Sequence, residues 1–133
     1  MIWQTTNGIT IEIASRYEAE HSKPLLKKYV HSYQVNVIND NEHAVQLLRR
    51  HWFIHDSDQT IREVEGSGVI GVQPIIRPGG NHTYMSWSVL HTEIGKMHGN
   101  YTILNLDSNK EYVVKIPEFL LVALCQRHPV LRH

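Results

Sequence analysis

The amino-acid sequence predicts an all-β fold in which antiparallel strands form a sandwich. Apolar and polar residues alternate through most of the 133-residue chain, which is typical of strands that have one buried face and one wetted face. Clusters of Gly, Pro, Asn and Asp interrupt these runs at intervals of about 8–16 residues, as they do in sandwiches and barrels. No stretch longer than about ten residues has the i, i+3, i+4 apolar spacing of an amphipathic helix.

The first two predicted strands are defined by strict alternation. Ile9, Ile11 and Ile13 face one side, while the polar residues between them face the other. A second strand begins at Tyr29, and its odd-numbered residues as far as Val37 share a face. The cluster "NDNE" at 39–42 then predicts a turn.

The later strands are separated by further turn signals. "AVQLLRRHWFIHD" reads as a long strand that ends at "DSDQ", residues 56–59, and a shorter strand follows at 60–65. "RPGGN" at 77–81 turns the chain into a strand that contains "HTYMSW". "MHGNYTILNL" and "EYVVKI" are predicted to form a hairpin that turns at residues 107–110.

A single domain is predicted, with its core over about residues 9–125. Residues 1–8 are expected to be loose, and residues 126–133 are expected to form a tail.

The longest strand predicts the kind of sandwich. Leu48, Trp52 and Ile54 are expected to share its buried face, and a buried tryptophan on a central strand is typical of immunoglobulin-like sandwiches. Cys125 is the only cysteine, which excludes the disulfide of antibody domains. A fibronectin type III-like sandwich therefore fits better.

Composition narrows the function classes. Thirteen basic and thirteen acidic residues balance, so no strong field favours nucleic acid as a partner. The longest apolar run, residues 119–125, is far shorter than the ~20 residues of a membrane span. We expect a cytoplasmic protein, because the sequence shows no secretory signal and its single cysteine suits a reducing compartment.

The segment "VEGSGVIGVQP" contains Gly66, Gly68 and Gly71 in the spacing of a phosphate-binding loop. Pro74 and Pro78 follow, so the helix that a dinucleotide-binding loop opens cannot form. A Walker loop is excluded because the sequence lacks its Lys-Ser/Thr pair. A kinase is excluded because the sequence contains no D-F-G and no H-R-D motif. Two interpretations are left: a tight turn or bulge between strands, or a nest of backbone N–H groups that binds an anion.

Metal and catalytic signatures are weak. His51 and His55 lie about 13 Å apart along a strand, too far to share one ion. His91, Glu93 and His98 are expected in a loop region, where they could converge on a metal. No Cys-x-x-Cys, H-E-x-x-H or G-x-S-x-G occurs. We therefore expect no enzymatic activity and assign no cofactor.

Four blocks of sequence resemble one known family. "VQLLRRHWFIHDSD" (45–58), "REVEGSGVIGVQPIIRPG" (62–79), "YMSWSVLHTEIGKMHGNY" (84–101) and "VVKIPEF" (113–119) look like the ApaG family, the DUF525 domain, in order and spacing. The resemblance covers about residues 9–125 and departs at Trp87, where many members have glycine. It implies a fibronectin type III-like sandwich, an association of bacterial members with Co²⁺ tolerance and Mg²⁺ efflux, and interaction roles for eukaryotic relatives.

Two functional hypotheses follow from the sequence and the resemblance. The first is a non-enzymatic module that binds an unidentified protein partner, with Trp87, Tyr84 and Arg49 as exposed residues of the types enriched at interfaces. The second is a site for phosphate or pyrophosphate, with Mg²⁺ or Co²⁺ as a possible companion. Its candidate residues are Gly66, Ser67, Gly68 and Gly71, with positive charge from Arg50, His51 or Arg77.

Overall fold

A computed structural model, which describes residues 1–123, shows nine strands in two antiparallel sheets packed face to face. The prediction of an all-β, fibronectin type III-like sandwich is confirmed. Within this described part the chain contains no α-helix, and its only helical pieces are two 3₁₀ turns, Ala19–His21 and Pro24–Leu26. Cys125 and the tail predicted at 126–133 lie outside the described residues.

The first sheet has four strands in the order β1-β2-β3-β7. These are β1 (Ile2–Thr6), β2 (Ile9–Tyr17), β3 (Tyr29–Asn39) and β7 (Asn81–Leu90). The ladder between β3 and β7 runs without a register shift from Tyr29↔Leu90 to Ile38↔Asn81.

The second sheet contains β4 (Val45–Asp56), β5 (Ile61–Ser67), β6 (Ile75–Ile76), β8 (Ile94–Asn105) and β9 (Glu111–Val122). Its main order is β5-β4-β8-β9, and the short β6 pairs with the start of β4. The outer strands β5 and β7 lie at the same open side of the sandwich, since Arg62 of β5 donates a hydrogen bond to the carbonyl oxygen of Val89 in β7.

The expectation that residues 1–8 are loose is wrong. Residues 2–6 form β1, which pairs along its whole length with β2. Asn7 and Gly8 connect the two strands with positive φ angles of 50° and 77°. Asn-Gly is the preferred pair for such a two-residue hairpin turn. This pair was the signal in the sequence that could have predicted β1.

The core forms where the inner faces of the two sheets meet. Trp52 is 3% exposed and contacts the rings of Tyr33, Tyr101 and Phe119 at centroid distances of 5.3, 6.4 and 6.1 Å. Its predicted role in the core is thus confirmed.

The expectation that Leu48 shares the face of Trp52 is wrong. The register of β4 shifts between Leu47 and Arg49, so Leu47 is fully buried and Leu48 is only half-buried. A bulge changes which residues face the core. Beyond it, Arg50 lies on the same inner side of the sheet as Trp52, and both line one cavity.

Candidate functional site

The glycine segment forms the end of β5 and a tight turn. Val69 and Val72 exchange backbone hydrogen bonds of 2.8 and 3.1 Å across the two residues between them. Those two residues, Ile70 and Gly71, both have positive φ angles, 45° and 77°. Gly68, just before the turn, has a φ of +60°, and a Cβ added there would lie 2.0 Å from the carbonyl oxygen of Val72. The residue at 68 must therefore be glycine for this turn to form.

Arg50 lies against the backbone of this segment. Its Nη1 donates hydrogen bonds to the carbonyl oxygens of Ser67 at 3.0 Å and Gly68 at 3.1 Å. A Cβ added at Gly66 would lie 2.8 Å from the same nitrogen, so the missing side chain at 66 gives the guanidinium its place.

The segment presents carbonyl oxygens to Arg50, while several of its N–H groups already have partners. The N–H of Gly68 donates to the carbonyl oxygen of Leu48 at 2.7 Å, and those of Val69 and Val72 donate to each other's carbonyl groups. This geometry gives the glycines a structural role in the turn. An anion nest at Gly66–Gly71 stays a prediction.

The predicted anion-site residues come together only in part. The structure brings Arg50 to Gly66, Ser67 and Gly68. His51 lies on the outer face of β4, where its ring stacks on Phe53 at 4.4 Å. Arg77 is exposed beyond β6, in the turn that leads into β7.

The Arg50 side chain lines a cavity of about 240 Å³ between the two sheets. The cavity lies beside β5, which contributes Val64, and β7, which contributes Tyr84 and Ser88. Tyr33, Trp52 and residues 69–71 of the glycine turn also line it. Sequence reasoning identified Arg50 as a candidate but placed it beside a loop rather than inside a cavity.

Arg50 supplies the charge of this cavity. The described residues that line it include no Asp, Glu, Lys or His, and within residues 1–123 Arg50 forms no salt bridge. Burial raises the pKa of Tyr33, which a hydrogen bond with Ser86 and the charge of Arg50 lower in part. Burial also raises the pKa of Tyr84, whose hydroxyl is hydrogen-bonded to that of Tyr101. The tyrosines are therefore neutral at physiological pH, and the cavity is positively charged.

Ser88 is a lining residue that sequence reasoning missed. It is 7% exposed, and its buried Oγ has no hydrogen-bond partner among the described residues. A buried hydroxyl without a partner costs roughly 1–3 kcal/mol. The signal in the sequence was a serine at an inward position of a strand, between the apolar residues Tyr84 and Leu90.

Tyr84 corrects another expectation. It was expected outside the core as a contact residue, but it is 9% exposed and belongs to the buried cluster between the sheets. Trp87 and Arg49, the other two residues of that expectation, are exposed.

The histidines of the second sheet lie on its outer face. His98 was expected in a loop, but it lies in β8, and its Nε2 is 2.8 Å from Nε2 of His55 across the ladder. His91 is in the β7–β8 turn and shares a hydrogen bond with the carbonyl oxygen of Lys27. His91, Glu93 and His98 thus do not form a cluster with metal-ligand geometry within residues 1–123.

One group in the described part has the donor types of a metal site. His51, Glu63 and Glu65 have ligand atoms within 4.8 Å of one another. However, the two ring nitrogens of His51 face different carboxylates, at 2.8 Å for Glu63 and 3.7 Å for Glu65. This is also the arrangement of an exposed ion-pair network, so the group does not by itself assign a metal.

The outer edge of β7 is the second notable feature of this region. Asn39 at the end of β3 exchanges backbone hydrogen bonds with Gly79 and Gly80, so the odd-numbered residues of β3 direct their polar groups towards β7. Their partners in the antiparallel ladder are the even-numbered residues of β7, whose N–H and C=O groups point to β3. The odd-numbered residues Thr83, Met85 and Trp87 therefore direct their N–H and C=O groups away from β3.

The hydrogen bonds of the region agree with this orientation. Arg62 Nη2 from β5 donates to the carbonyl oxygen of Val89, which has the same parity as Trp87. Within residues 1–123 no other hydrogen bond reaches the outward backbone groups of β7. We call the outward groups of Thr83, Met85 and Trp87 the free β7 edge.

The side chains along this edge are uncharged. The ten residues Asn81–Leu90 include no Asp, Glu, Lys, Arg or Pro. Met85 is 54% exposed and Trp87 is 50% exposed, and Trp87 contacts the ring of His21 edge-on at 5.2 Å.

These features define a small β-sandwich domain with an open sheet edge beside a positively charged cavity. The profile of the ApaG domain, DUF525, matches residues 19–105, and the chain belongs to this family. The protein named ApaG from Acidithiobacillus ferrooxidans is 38% identical over 94% of this chain and 98% of its own length. The protein of that name from Pseudomonas aeruginosa is 42% identical over 77% of this chain and 82% of its own.

A solved structure supports the same assignment. The crystal structure of a protein described as a putative ApaA protein, from Bordetella pertussis, has a TM-score of 0.83 and 36% identity. The match covers 90% of this chain and 94% of that one. Among residues 1–123, no helix is long and apolar enough to cross a membrane.

Proposed function

We propose that this chain is a non-enzymatic binding module that takes an extended segment of a partner protein onto the free β7 edge. In such β-augmentation the added strand pairs with the backbone of the edge, and its alternate side chains provide specificity. The single observation that carries the proposal is the free edge itself, a regular ten-residue strand without a charge or a proline.

Natural sandwiches normally protect their outer strands. They use charged side chains, prolines, bulges or short strands, because unpaired N–H and C=O groups attract other strands. A long, regular and uncharged edge with exposed Met85 and Trp87 is therefore expected to have a partner. Tryptophan and methionine are also enriched at protein interfaces.

The chemistry of the region supports binding rather than turnover. Ser88 places a buried hydroxyl, a group that can act as a nucleophile, in the lining of the cavity. Within residues 1–123, however, this hydroxyl has no hydrogen-bond partner that could act as a base. The alternative of a pyrophosphate site with Mg²⁺ or Co²⁺ at Gly66–Gly71 has less support, since the carbonyl groups of Ser67 and Gly68 face Arg50.

The test begins with a library of random linear peptides displayed on phage and selected against the full chain. Dissociation constants of the synthetic peptides are then measured by fluorescence anisotropy for the wild type, Met85→Pro and Met85→Ala. Proline removes the outward N–H and is tolerated on an edge strand whose N–H faces solvent. Alanine removes the side chain but keeps the N–H.

We expect Met85→Pro to weaken binding at least tenfold and Met85→Ala to weaken it by a smaller factor, since main-chain hydrogen bonds provide most of the affinity in this mode. Thermal unfolding of both variants checks that the sandwich is intact. Peptides that bind Met85→Pro as tightly as the wild type would contradict the proposal.

A further inference from the structure

We propose that the cavity between β5 and β7 is a binding site for a small monocarboxylate with an apolar or aromatic body, held by Arg50 and Ser88. This inference does not depend on the partner of the β7 edge. It begins from two polar groups that the fold leaves without partners in the same cavity, namely the Arg50 charge and the Ser88 hydroxyl.

Arg50 has donors to spare. Its hydrogen bonds to the protein use Nη1, and within residues 1–123 none is made by Nη2 or Nε. The side chain is half-buried and no acidic group in the described part of the chain pairs with it. A partly desolvated guanidinium without a counter-charge is costly unless a ligand supplies one, and its fork matches an oxyanion.

Ser88 adds a second donor to the same cavity. Its Oγ is buried and without a partner among the described residues, although buried hydroxyls in folded proteins are almost always hydrogen-bonded. An oxygen of a bound carboxylate would accept from both groups.

The charge of the cavity selects the kind of anion. Arg50 is the one charged residue among the described lining residues, which balances a single negative charge. Pyrophosphate would bring several charges and leave most of them unpaired in a partly dry site. A monocarboxylate is therefore the better fit.

The walls select the rest of the ligand. Tyr33, Trp52 and Tyr84 present rings to the cavity, and a volume of about 240 Å³ is just below the usual range of about 300–1,000 Å³ for small-molecule pockets. The ligand would thus combine one carboxylate with a small apolar or aromatic group.

This carboxylate could come from two sources with the same chemistry. One is a free organic acid, and the other is an Asp or Glu side chain of a strand paired with β7, because Tyr84 and Ser88 of β7 line the cavity. The test therefore has an arm for each source.

In the first arm, benzoate is titrated into the full chain and followed through the amide and indole N–H signals of a ¹⁵N NMR spectrum. Benzamide, the neutral analogue, and pyrophosphate are the control ligands. We expect benzoate to shift the Trp52 indole signal and to bind at least tenfold more tightly than either control.

Variants then locate the binding. We expect Arg50→Gln and Ser88→Ala each to weaken benzoate binding at least tenfold, since each removes a hydrogen bond to a charged group. Arg49→Gln, on the exposed side of the same strand, should change it less than twofold. Because Arg50 also supports the glycine turn, Ser88→Ala is the test that leaves every hydrogen bond of the turn in place.

In the second arm, blocked extended peptides that differ only by Glu or Gln at one position are compared. A Glu peptide that binds more tightly than its Gln partner, with the preference lost in Arg50→Gln, identifies the partner strand as the source. If benzoate binds and the peptides show no preference, the source is a free acid. Met85→Pro should leave benzoate binding intact, so failure of the edge proposal and failure of this one are distinguishable.

Three results would overturn the assignment. They are equal binding of benzoate and benzamide together with no Glu preference among the peptides, tighter binding of pyrophosphate than of benzoate, and benzoate affinity that neither Arg50→Gln nor Ser88→Ala reduces.

Discussion

Strands β5 and β7 form the two outer edges at the same open side of the sandwich, yet they are built differently. Seven-residue β5 carries Arg62, Glu63 and Glu65 and runs into a turn with three positive φ angles, at 68, 70 and 71. Ten-residue β7 carries no charge and pairs without a register shift. The difference indicates that one edge is protected against other strands and the other is left available to them.

The largest effect is expected at the turn that ends β5. Gly68→Ala should lower the free energy of unfolding by about 3 kcal/mol or more, because a Cβ at 68 combines a positive φ with a clash against the backbone. Gly71→Ala is the matched control: φ is also positive, but nothing lies within 4 Å of the added carbon, so about 1 kcal/mol is expected.

Urea denaturation of both variants gives these values. Equal losses at the two positions would show that the β5 side does not depend on the close packing at Gly68.

Acid should loosen the support of β7. His31 on β3 lies opposite Ser88 of β7 and is 1% exposed; burial lowers its pKa to about 4. Between pH 6.5 and 4 the unfolded chain binds a proton at this histidine and the folded chain does not. The free energy of unfolding therefore decreases as the pH is lowered, by about 3 kcal/mol from this group.

The expected loss is complete near pH 4 and absent above pH 7. Burial also lowers the pKa of His98, with a contribution from His55, so that residue acts in the same direction. Denaturation curves of the wild type and His31→Gln from pH 7.5 to 4 test the point: the variant should lose less stability over this interval, and parallel pH profiles would contradict the account.

A charged side chain on β7, like those that β5 carries, should make the β7 edge a poorer binding site for peptides. Met85→Lys places a charge on the free β7 edge, and we expect it to weaken binding of the selected peptides about tenfold. Glu63→Gln on β5 should change their affinity less than twofold. Anisotropy titrations measure both, and a larger effect at Glu63 would place the peptide on the other edge.

The smallest effect concerns Arg62, which connects the two edges through the carbonyl oxygen of Val89. Arg62→Met frees that group for an incoming strand and should tighten peptide binding by about two- to fivefold, the value of one further hydrogen bond. Weaker binding would show that Arg62 contacts the peptide itself.

Alternation was enough to predict the fold class and most of the strands, though not β1, because burial on one face leaves a period of two in the sequence. It failed where the period breaks. The bulge beside Leu48 places Leu47 rather than Leu48 on the inner face, and Ser88 was overlooked because an inward serine differs little from an outward one in a sequence.

The order of strands in the sheets could not be predicted either. Strand β7 lies at the end of the sheet order β1-β2-β3-β7, with β3 as its neighbour in the sheet. This position depends on long-range strand pairing, which no local pattern in "NHTYMSWSVL" encodes. The site therefore depended on topology: Arg50 and Trp87 were candidates from the sequence, whereas Thr83, Met85 and Ser88 were not.

Amide hydrogen exchange of the full, unliganded chain tests the central claim most directly. A free β7 edge predicts fast exchange at Thr83, Met85 and Trp87 and slow exchange at Tyr84, Ser86 and Ser88, whose N–H groups bond to β3. Slow exchange at all six positions would show that the edge is already covered in the free protein and would contradict the proposed function.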